Sequence, residues 1–168
     1  YIKIKMRKSL YFLPLLFSFA MSAQQSIPRV LKMLNKESVP YIKVAELKDK
    51  KNLVYLDARE PKEYQVSHIK NALFVGYDDF KSEIVTSKIK DKSTAIVVYC
   101  SIGVRSENIG EKLQQLGYTN VYNLYGGIFE YKNEGGTVYN LQNKPTDSVH
   151  TYNKKWSKYL TKGNKVYE

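Results

Sequence analysis

Short apolar runs alternate with segments of helical periodicity from residue 39 onward. The runs cover 39–42, 53–57, 72–75, 94–99 and 120–124, and the helical segments cover 61–66, 78–89, 106–117 and 126–136. The run TAIVVY at 94–99 is uninterrupted and rich in β-branched residues, which is typical of a strand buried on both faces. Alternation with short links predicts parallel βαβ units. We therefore predict an α/β fold with a central, mostly parallel sheet of about five strands, flanked by helices on both faces.

Two of the helical segments carry signals for their ends. Asp78 or Asp79 is expected to cap segment 78–89, because a short carboxylate accepts hydrogen bonds from the free amides of a first turn. Gly117 is expected to stop segment 106–117, since glycine adopts the left-handed conformation found just past many helices.

The N-terminal residues have the composition of a secretory signal. Arg7 and Lys8 form a basic segment, the apolar run 10–20 follows, and small residues precede Gln24. A run of about eleven residues is shorter than the roughly 20 that a membrane-spanning helix needs. We therefore expect residues 1–23 to be cleaved, so that the protein is exported, either periplasmic or secreted, and does not span a membrane afterwards. A buried N-terminal helix and an uncleaved anchor are the alternatives.

The remaining chain divides by composition. Residues 24–136 hold the strand–helix alternation and are expected to form one domain. Residues 137–168 are rich in lysine and tyrosine, contain Trp156, and are expected to be a C-terminal extension packed on that domain. Two extended segments around 143–145 and a short amphipathic helix at 153–160 are predicted there. The alternative is an arm that binds a protein partner.

The charge of the chain limits the kinds of partner that it is expected to bind. The formal net charge is +11, but the lysines are scattered and form no block. This pattern predicts a solvated basic surface with a general attraction for anions. Nucleic acid is not expected as a partner.

The chain contains one cysteine, which excludes an internal disulfide. Cys100 ends the most apolar run and opens the segment CSIGVRS, so it lies at the carboxyl end of a parallel strand, where ligands bind in open α/β sheets. Gly103 gives this loop the freedom to curl, so that successive amides form an anion-binding nest. The following helix and Arg105 add positive charge. A thiol in that setting is expected to have a lowered pKa and to act as a nucleophile on an anionic substrate.

Other cysteine chemistry fits less well. A cysteine–histidine hydrolase would need His68 or His150 as its base, and neither lies in a suggestive context. Zinc needs about four ligands, which one cysteine and two histidines do not supply. No metal and no cofactor are therefore expected.

Several spaced motifs together resemble the rhodanese-like domain, the family of single-domain sulfurtransferases. They lie in YLDAREPKEYQVSHIKNALFV and in VVYCSIGVRSENIGEKLQQLGYTNVYNLYGGIFEY, over roughly residues 39–134. The matching features are Asp57-x-Arg59, Glu63, His68-Ile69, Cys100-x-x-Gly103-x-Arg105-Ser106, Leu116-Gly117-Tyr118 and Gly126-Gly127-Ile128. Because they occur in the family's order, their combination is more specific than any one of them.

The resemblance implies a sulfurtransferase that moves sulfane sulfur through a persulfide on Cys100. A small sulfur-containing anion such as thiosulfate would be the donor, and cyanide or a thiol the acceptor. Arg105 would act in catalysis with Cys100, and its guanidinium would help the loop amides to hold the anion. The remaining loop residues, Ser101, Ile102, Gly103, Val104 and Ser106, would hold the anion, and Asp57, Arg59 and Glu63 would support the loop.

Two alternatives remain for the activity. Four residues separate Cys100 from Arg105, whereas phosphatases related to this fold have a loop longer by one residue. An anionic-ester hydrolase is therefore the weaker hypothesis. The other alternative is a non-catalytic or sulfur-carrying module that binds a partner.

Overall fold

A five-stranded parallel sheet forms the centre of the protein. A computed structural model describes residues 26–167. The sheet contains β1 (Tyr41–Ile42), β2 (Val54–Asp57), β4 (Leu73–Phe74), β5 (Ile96–Tyr99) and β6 (Val121–Leu124), in the order β1-β6-β5-β2-β4. Every neighbouring pair in it is parallel. The predicted α/β fold is thus confirmed.

Helices cover both faces of this sheet. They are α1 (Ile27–Leu34), α2 (Val44–Leu47), α3 (Pro61–Val66), α4 (Ser82–Lys88), α5 (Arg105–Gln115) and α6 (Gly127–Asn133). Alternate residues of β5 point to opposite faces because side chains in a strand have a period of two. Val97 and Tyr99 join the core that includes α1 and α6, whereas Ile96 and Val98 join the core that includes α4 and α5. Since the central strand is buried on both faces, its continuous apolar run is explained.

Some helix boundaries differ from those predicted. Helix α4 begins at Ser82, and Lys81 occupies the position before it, so the prediction that Asp78 or Asp79 caps this helix was wrong. The backbone forms a turn before this helix begins, in which the amide of Phe80 donates to the carbonyl of Tyr77 at 3.4 Å. Gly117 does follow helix α5 with a φ of 88°.

The C-terminal segment is built into the domain. Strand β7 (Val138–Tyr139) pairs antiparallel with both β3 (His68–Ile69) and β8 (Pro145–Thr146), and β9 (Ser148–His150) pairs parallel with β10 (Asn164–Val166). Val149 and Leu160 are fully buried in the core on the α1 side of the sheet. The segment therefore contributes to the hydrophobic core.

The helix predicted at 153–160 is limited to a single 3₁₀ turn, Ser157–Tyr159. The backbone bonds of this turn have 3₁₀ spacing, because the amide of Tyr159 donates to the carbonyl of Trp156 and that of Leu160 to the carbonyl of Ser157. Asn153 caps the preceding turn, since its Oδ1 accepts hydrogen bonds from the amides of Lys155 and Trp156.

The predicted signal peptide, residues 1–23, lies outside the described residues. Between residues 26 and 167, none of the helices has the length and apolar character needed to cross a membrane.

Candidate active site

Cys100 directly follows β5, and its sulfur is enclosed by the loop that leads into α5. Only 1% of the residue is exposed. The amide of Gly103 donates a hydrogen bond to Sγ at 3.2 Å. Gly103 has a φ of 109°, a conformation that residues with a side chain rarely adopt. This backbone position turns the loop back so that its amide reaches the sulfur.

The first turn of α6 fixes the carbonyls of the loop. The amide of Ile128 donates to the carbonyl of Cys100 at 2.9 Å, and the amide of Phe129 donates to that of Ser101 at 3.1 Å. Gly127 permits this approach, because a Cβ there would lie 2.4 Å from the carbonyl oxygen of Cys100. With these carbonyls directed away from the sulfur, the loop presents amides to it, as in an anion-binding nest.

Asn123, at the end of β6, holds the far side of the same loop. Its Nδ2 donates to the carbonyl of Gly103 at 2.8 Å, and its Oδ1 lies 2.7 Å from the hydroxyl of Ser106. That hydroxyl also lies 3.6 Å from the Cys100 sulfur, so its single hydrogen reaches either acceptor. Asn35, just after α1, donates a second bond to the Gly103 carbonyl at 2.8 Å.

Arg105 forms a two-pronged ion pair with Glu63. Its Nη1 donates to Oε2 at 2.7 Å and its Nη2 to Oε1 at 2.8 Å. The hydroxyl of Ser101 joins the pair, accepting from Arg105 at 3.0 Å and donating to Glu63 at 2.9 Å. The guanidinium expected to hold an anion is thus shared with a fully buried carboxylate.

The charges and hydrogen bonds around the loop lower the pKa values of Glu63 and Cys100. Burial opposes ionisation of Glu63, but hydrogen bonds and charge from Arg105 outweigh it and lower the pKa of that carboxyl to about 2. Burial likewise opposes ionisation of the Cys100 thiol. The Arg105 charge and hydrogen bonds from Ser106 and Gly103 outweigh it, so the pKa of the thiol lies below its ordinary value. The site therefore stabilises the thiolate, the reactive form of cysteine, relative to a free cysteine.

Asp57 and Arg59 form a second, separate pair with no exposure to solvent. Arg59 donates to Asp57 from Nε at 2.9 Å and from Nη2 at 2.7 Å, and Nη2 also donates to the carbonyl of Ser67 at 2.6 Å. These bonds tie the end of β2 to the residue that follows α3. Since Glu63 belongs to α3, the pair fixes the helix that carries the partner of Arg105.

Neither histidine lines the cavity with Cys100. His68 stacks on Tyr64 with ring centroids 4.1 Å apart, and the Nδ1 of His150 accepts the amide of Tyr152 at 3.0 Å. In the part of the chain that the structure describes, no group of histidine, cysteine and acidic residues has the arrangement of a metal site.

A cavity of about 220 Å³ opens at the sulfur. Five of the predicted loop residues line it: Cys100, Ser101, Ile102, Val104 and Arg105. The other two, Gly103 and Ser106, are not among its lining residues. Sequence analysis missed three further lining residues: Leu34, Tyr152 and Trp156. The helix that carries Leu34 could have been found, because Ile27, Val30, Leu31 and Leu34 repeat at helical spacing and Pro28 suits the first turn.

Comparison with known sequences places these motifs in a family. The model of the rhodanese-like domain matches residues 42–134. A tRNA uridine(34) hydroxylase of Erwinia tasmaniensis is 38% identical over 97 residues, which are 54% of this chain and 28% of that protein. One from Pectobacterium atrosepticum is 36% identical over 94 residues, 53% of this chain and 26% of that protein. This chain thus spans only about a quarter of these relatives.

Solved structures share the fold. The rhodanese-like domain of an Anabaena protein superposes with a TM-score of 0.54 at 24% identity, covering 61% of this chain and 80% of that domain. A thiosulfate sulfurtransferase from Pseudomonas aeruginosa gives a TM-score of 0.55 at 24% identity, covering 63% of this chain and 21% of that one. At these identities the likeness shows a common architecture.

Proposed function

Because this chain belongs to the rhodanese-like domain family, we propose that it is a sulfurtransferase of the thiosulfate sulfurtransferase type. It takes sulfane sulfur from a donor such as thiosulfate and passes it to cyanide or a thiol. One observation carries the proposal: the only cysteine lies in a loop of inward-facing amides, with a lowered pKa, beside an open cavity.

The reaction has two displacement steps. The Cys100 thiolate attacks the outer sulfur of thiosulfate, a bond forms between the two sulfurs, and the donor's S–S bond breaks to release sulfite. Cyanide then attacks the outer sulfur of the resulting persulfide, which frees thiocyanate and restores the thiolate. Each step conserves charge and needs no added oxidant or reductant.

The loop residues have distinct parts in this scheme. The amides of Gly103 and Ser106 stabilise negative charge on the reacting sulfur, as preorganised donors do for developing anions. Arg105 is a positioning residue, since its terminal nitrogens bind Glu63 and its charge lowers the thiol pKa from there. Ser101 extends this pair, and Ile102 and Val104 supply apolar contact to the donor.

Mass spectrometry of the full chain tests the persulfide directly. Thiosulfate should add the mass of one sulfur atom, and cyanide should remove it with release of thiocyanate. Cys100→Ser should do neither. Adding Ser93→Cys to that variant gives a matched control with an exposed thiol elsewhere. Thiocyanate release by Cys100→Ser equal to that of the wild type would refute the proposal, whereas sulfur uptake without release would favour the carrier module.

The identity of 38% to the tRNA uridine(34) hydroxylase favours a second candidate, a part in that modification of tRNA. It ranks lower because this chain spans only about a quarter of such proteins. Incubation with tRNA in air, with a thiol as the two-electron reductant that converts the second oxygen atom to water, distinguishes the two. A gain of one oxygen at uridine 34 that depends on Cys100, without thiocyanate formation, would favour the second candidate.

We also propose that residues 1–23 are a signal peptide and that the protein is exported. The mass of the protein recovered from the cell envelope or the medium tests this. Loss of 23 residues is expected, and an intact N-terminus inside the cell would contradict it.

A further inference from the structure

The outer wall of the cavity comes from outside the matched family segment. Leu34 ends α1, and Tyr152 and Trp156 follow β9, whereas the family match covers residues 42–134. These three side chains face the cavity together with Ile102 and Val104 of the loop. Five of the eight lining residues are therefore large apolar or aromatic side chains, three of them specific to the flanks of this chain.

The cavity offers little to balance a doubly charged donor. Arg105 is the one charged residue among its lining residues, all of which are described. Both terminal nitrogens of Arg105 bind Glu63, and the ring of Tyr152 lies 5.3 Å from its central carbon. Because Glu63 binds the edge of the guanidinium and Tyr152 lies over its face, the loop amides remain as the main contacts for an anion.

The wall is held in place by its own backbone. Tyr152 has a φ of 64°, which is uncommon for a residue with a side chain. Its amide donates to Nδ1 of His150 at 3.0 Å, and the amide of Asn153 donates to the carbonyl of Thr151 at 2.7 Å. The ring of Trp156 packs 5.6 Å from that of Tyr159, which is buried. Strained backbone of this kind is found where a side chain must be aimed at a site.

The volume of the cavity fits an organic group. An apolar cavity of about 150 Å³ can hold a benzene ring, and the cavity at Cys100 measures about 220 Å³. A phenyl group lying against Trp156 and Leu34 would leave room for the sulfur that Cys100 attacks.

We propose that this site selects sulfane sulfur donors that carry an apolar or aromatic group, in preference to donors that lack one. The inference rests on the proposed function and adds the class of substrate to it. With a thiosulfonate anion, the Cys100 thiolate attacks the outer sulfur, the donor's S–S bond breaks, and the organic group leaves as a sulfinate.

Two donors that differ only in this group provide the test. Benzenethiosulfonate and methanethiosulfonate are both monoanions with the same reactive sulfur. The full chain should use the benzene donor with a kcat/KM higher by about tenfold or more, since burial of a phenyl ring is worth at least that factor. The preference should fall severalfold in Trp156→Ala and in Leu34→Asn. Leu34 is 48% exposed, so its substitution leaves the core intact.

Leu141→Asn is the matched control, because Leu141 is 55% exposed and lies outside the cavity. It should retain the preference in full. Equal kcat/KM for the two donors in the wild type, or an unchanged preference in both wall variants, would overturn the inference while persulfide formation still supported the proposed function. Failure of both donors to load Cys100 would overturn the proposed function as well.

Discussion

Replacing Glu63 by Gln tests the ion pair that holds the active loop. Glu63 is fully buried and its pKa of about 2 lies below the ordinary value of 4.5. Because a shift of one pKa unit is worth about 1.4 kcal/mol, the ionised form stabilises the fold by on the order of 3 kcal/mol near neutral pH. The pKa is lowered in the folded state, so this stability is complete above about pH 4.5 and is lost as the pH falls toward 2.

Urea unfolding of wild type and Glu63→Gln between pH 7 and pH 3 measures this difference. The variant should lose roughly 3 kcal/mol at pH 7, and the gap should narrow steadily below pH 4.5 as the wild-type carboxyl gains a proton. Glu83→Gln, at an exposed position of α4, should show no such trend. A gap that is independent of pH, or a loss below about 1 kcal/mol at pH 7, would show that Glu63 does not act through its charge.

Three further substitutions probe the loop and the buried ion pair beside α3. Ser106→Ala removes a hydrogen bond to the sulfur and should raise the pKa of Cys100. Slower alkylation by iodoacetamide at pH 7 would report this change, and Ser87→Ala, at an exposed position of α4, is the control. Gly127→Ala should destabilise the fold by more than about 1 kcal/mol in urea unfolding, because its φ is 57° and its Cβ would meet the carbonyl of Cys100. Asp57→Asn should cost about 3–5 kcal/mol in the same assay, since it leaves Arg59 charged and buried without its counter-ion; retention of wild-type stability would contradict that reasoning.

The sheet could be predicted from sequence because its signals are local. A strand buried on both faces requires a continuous apolar run, and 94–99 supplies one. The position of Cys100 at the end of that run then follows from topology, because parallel strands end at one edge of the sheet. The cap at Asp78 or Asp79 was wrong because a backbone turn between Tyr77 and Phe80 precedes the helix, which begins only at Ser82. The helix at 153–160 is limited to a 3₁₀ turn, and helical spacing in so short a segment does not distinguish a 3₁₀ turn from an α-helix.

The partner of Arg105 could not be predicted from spacing. Glu63 lies 42 residues earlier, Asp57 offers another carboxylate at nearly the same separation, and Arg59 offers a second guanidinium that could pair with Glu63. The pairing of Arg105 with Glu63 depends on tertiary structure, because the bond from Arg59 to the Ser67 carbonyl fixes the end of α3. With α3 in this position, Glu63 faces the loop. Sequence analysis grouped the three residues as supports of the loop and expected the guanidinium of Arg105 to hold the anion, whereas the structure pairs that guanidinium with Glu63.

Cys100 and the cavity wall that faces it come from different parts of the chain, and only the part that holds Cys100 lies within the family match. The loop around the sulfur consists of residues 100–106 held by α3, β6 and α6, all inside the matched segment 42–134, and Asn35 adds one bond to the Gly103 carbonyl from outside it. A lowered thiol pKa therefore belongs to the shared part of the fold. Leu34, Tyr152 and Trp156 reach the cavity from segments that the family match does not include. Since specificity depends on the groups that contact the variable part of a substrate, the donor that we propose is inferred from the flanking segments of this chain rather than from its relatives.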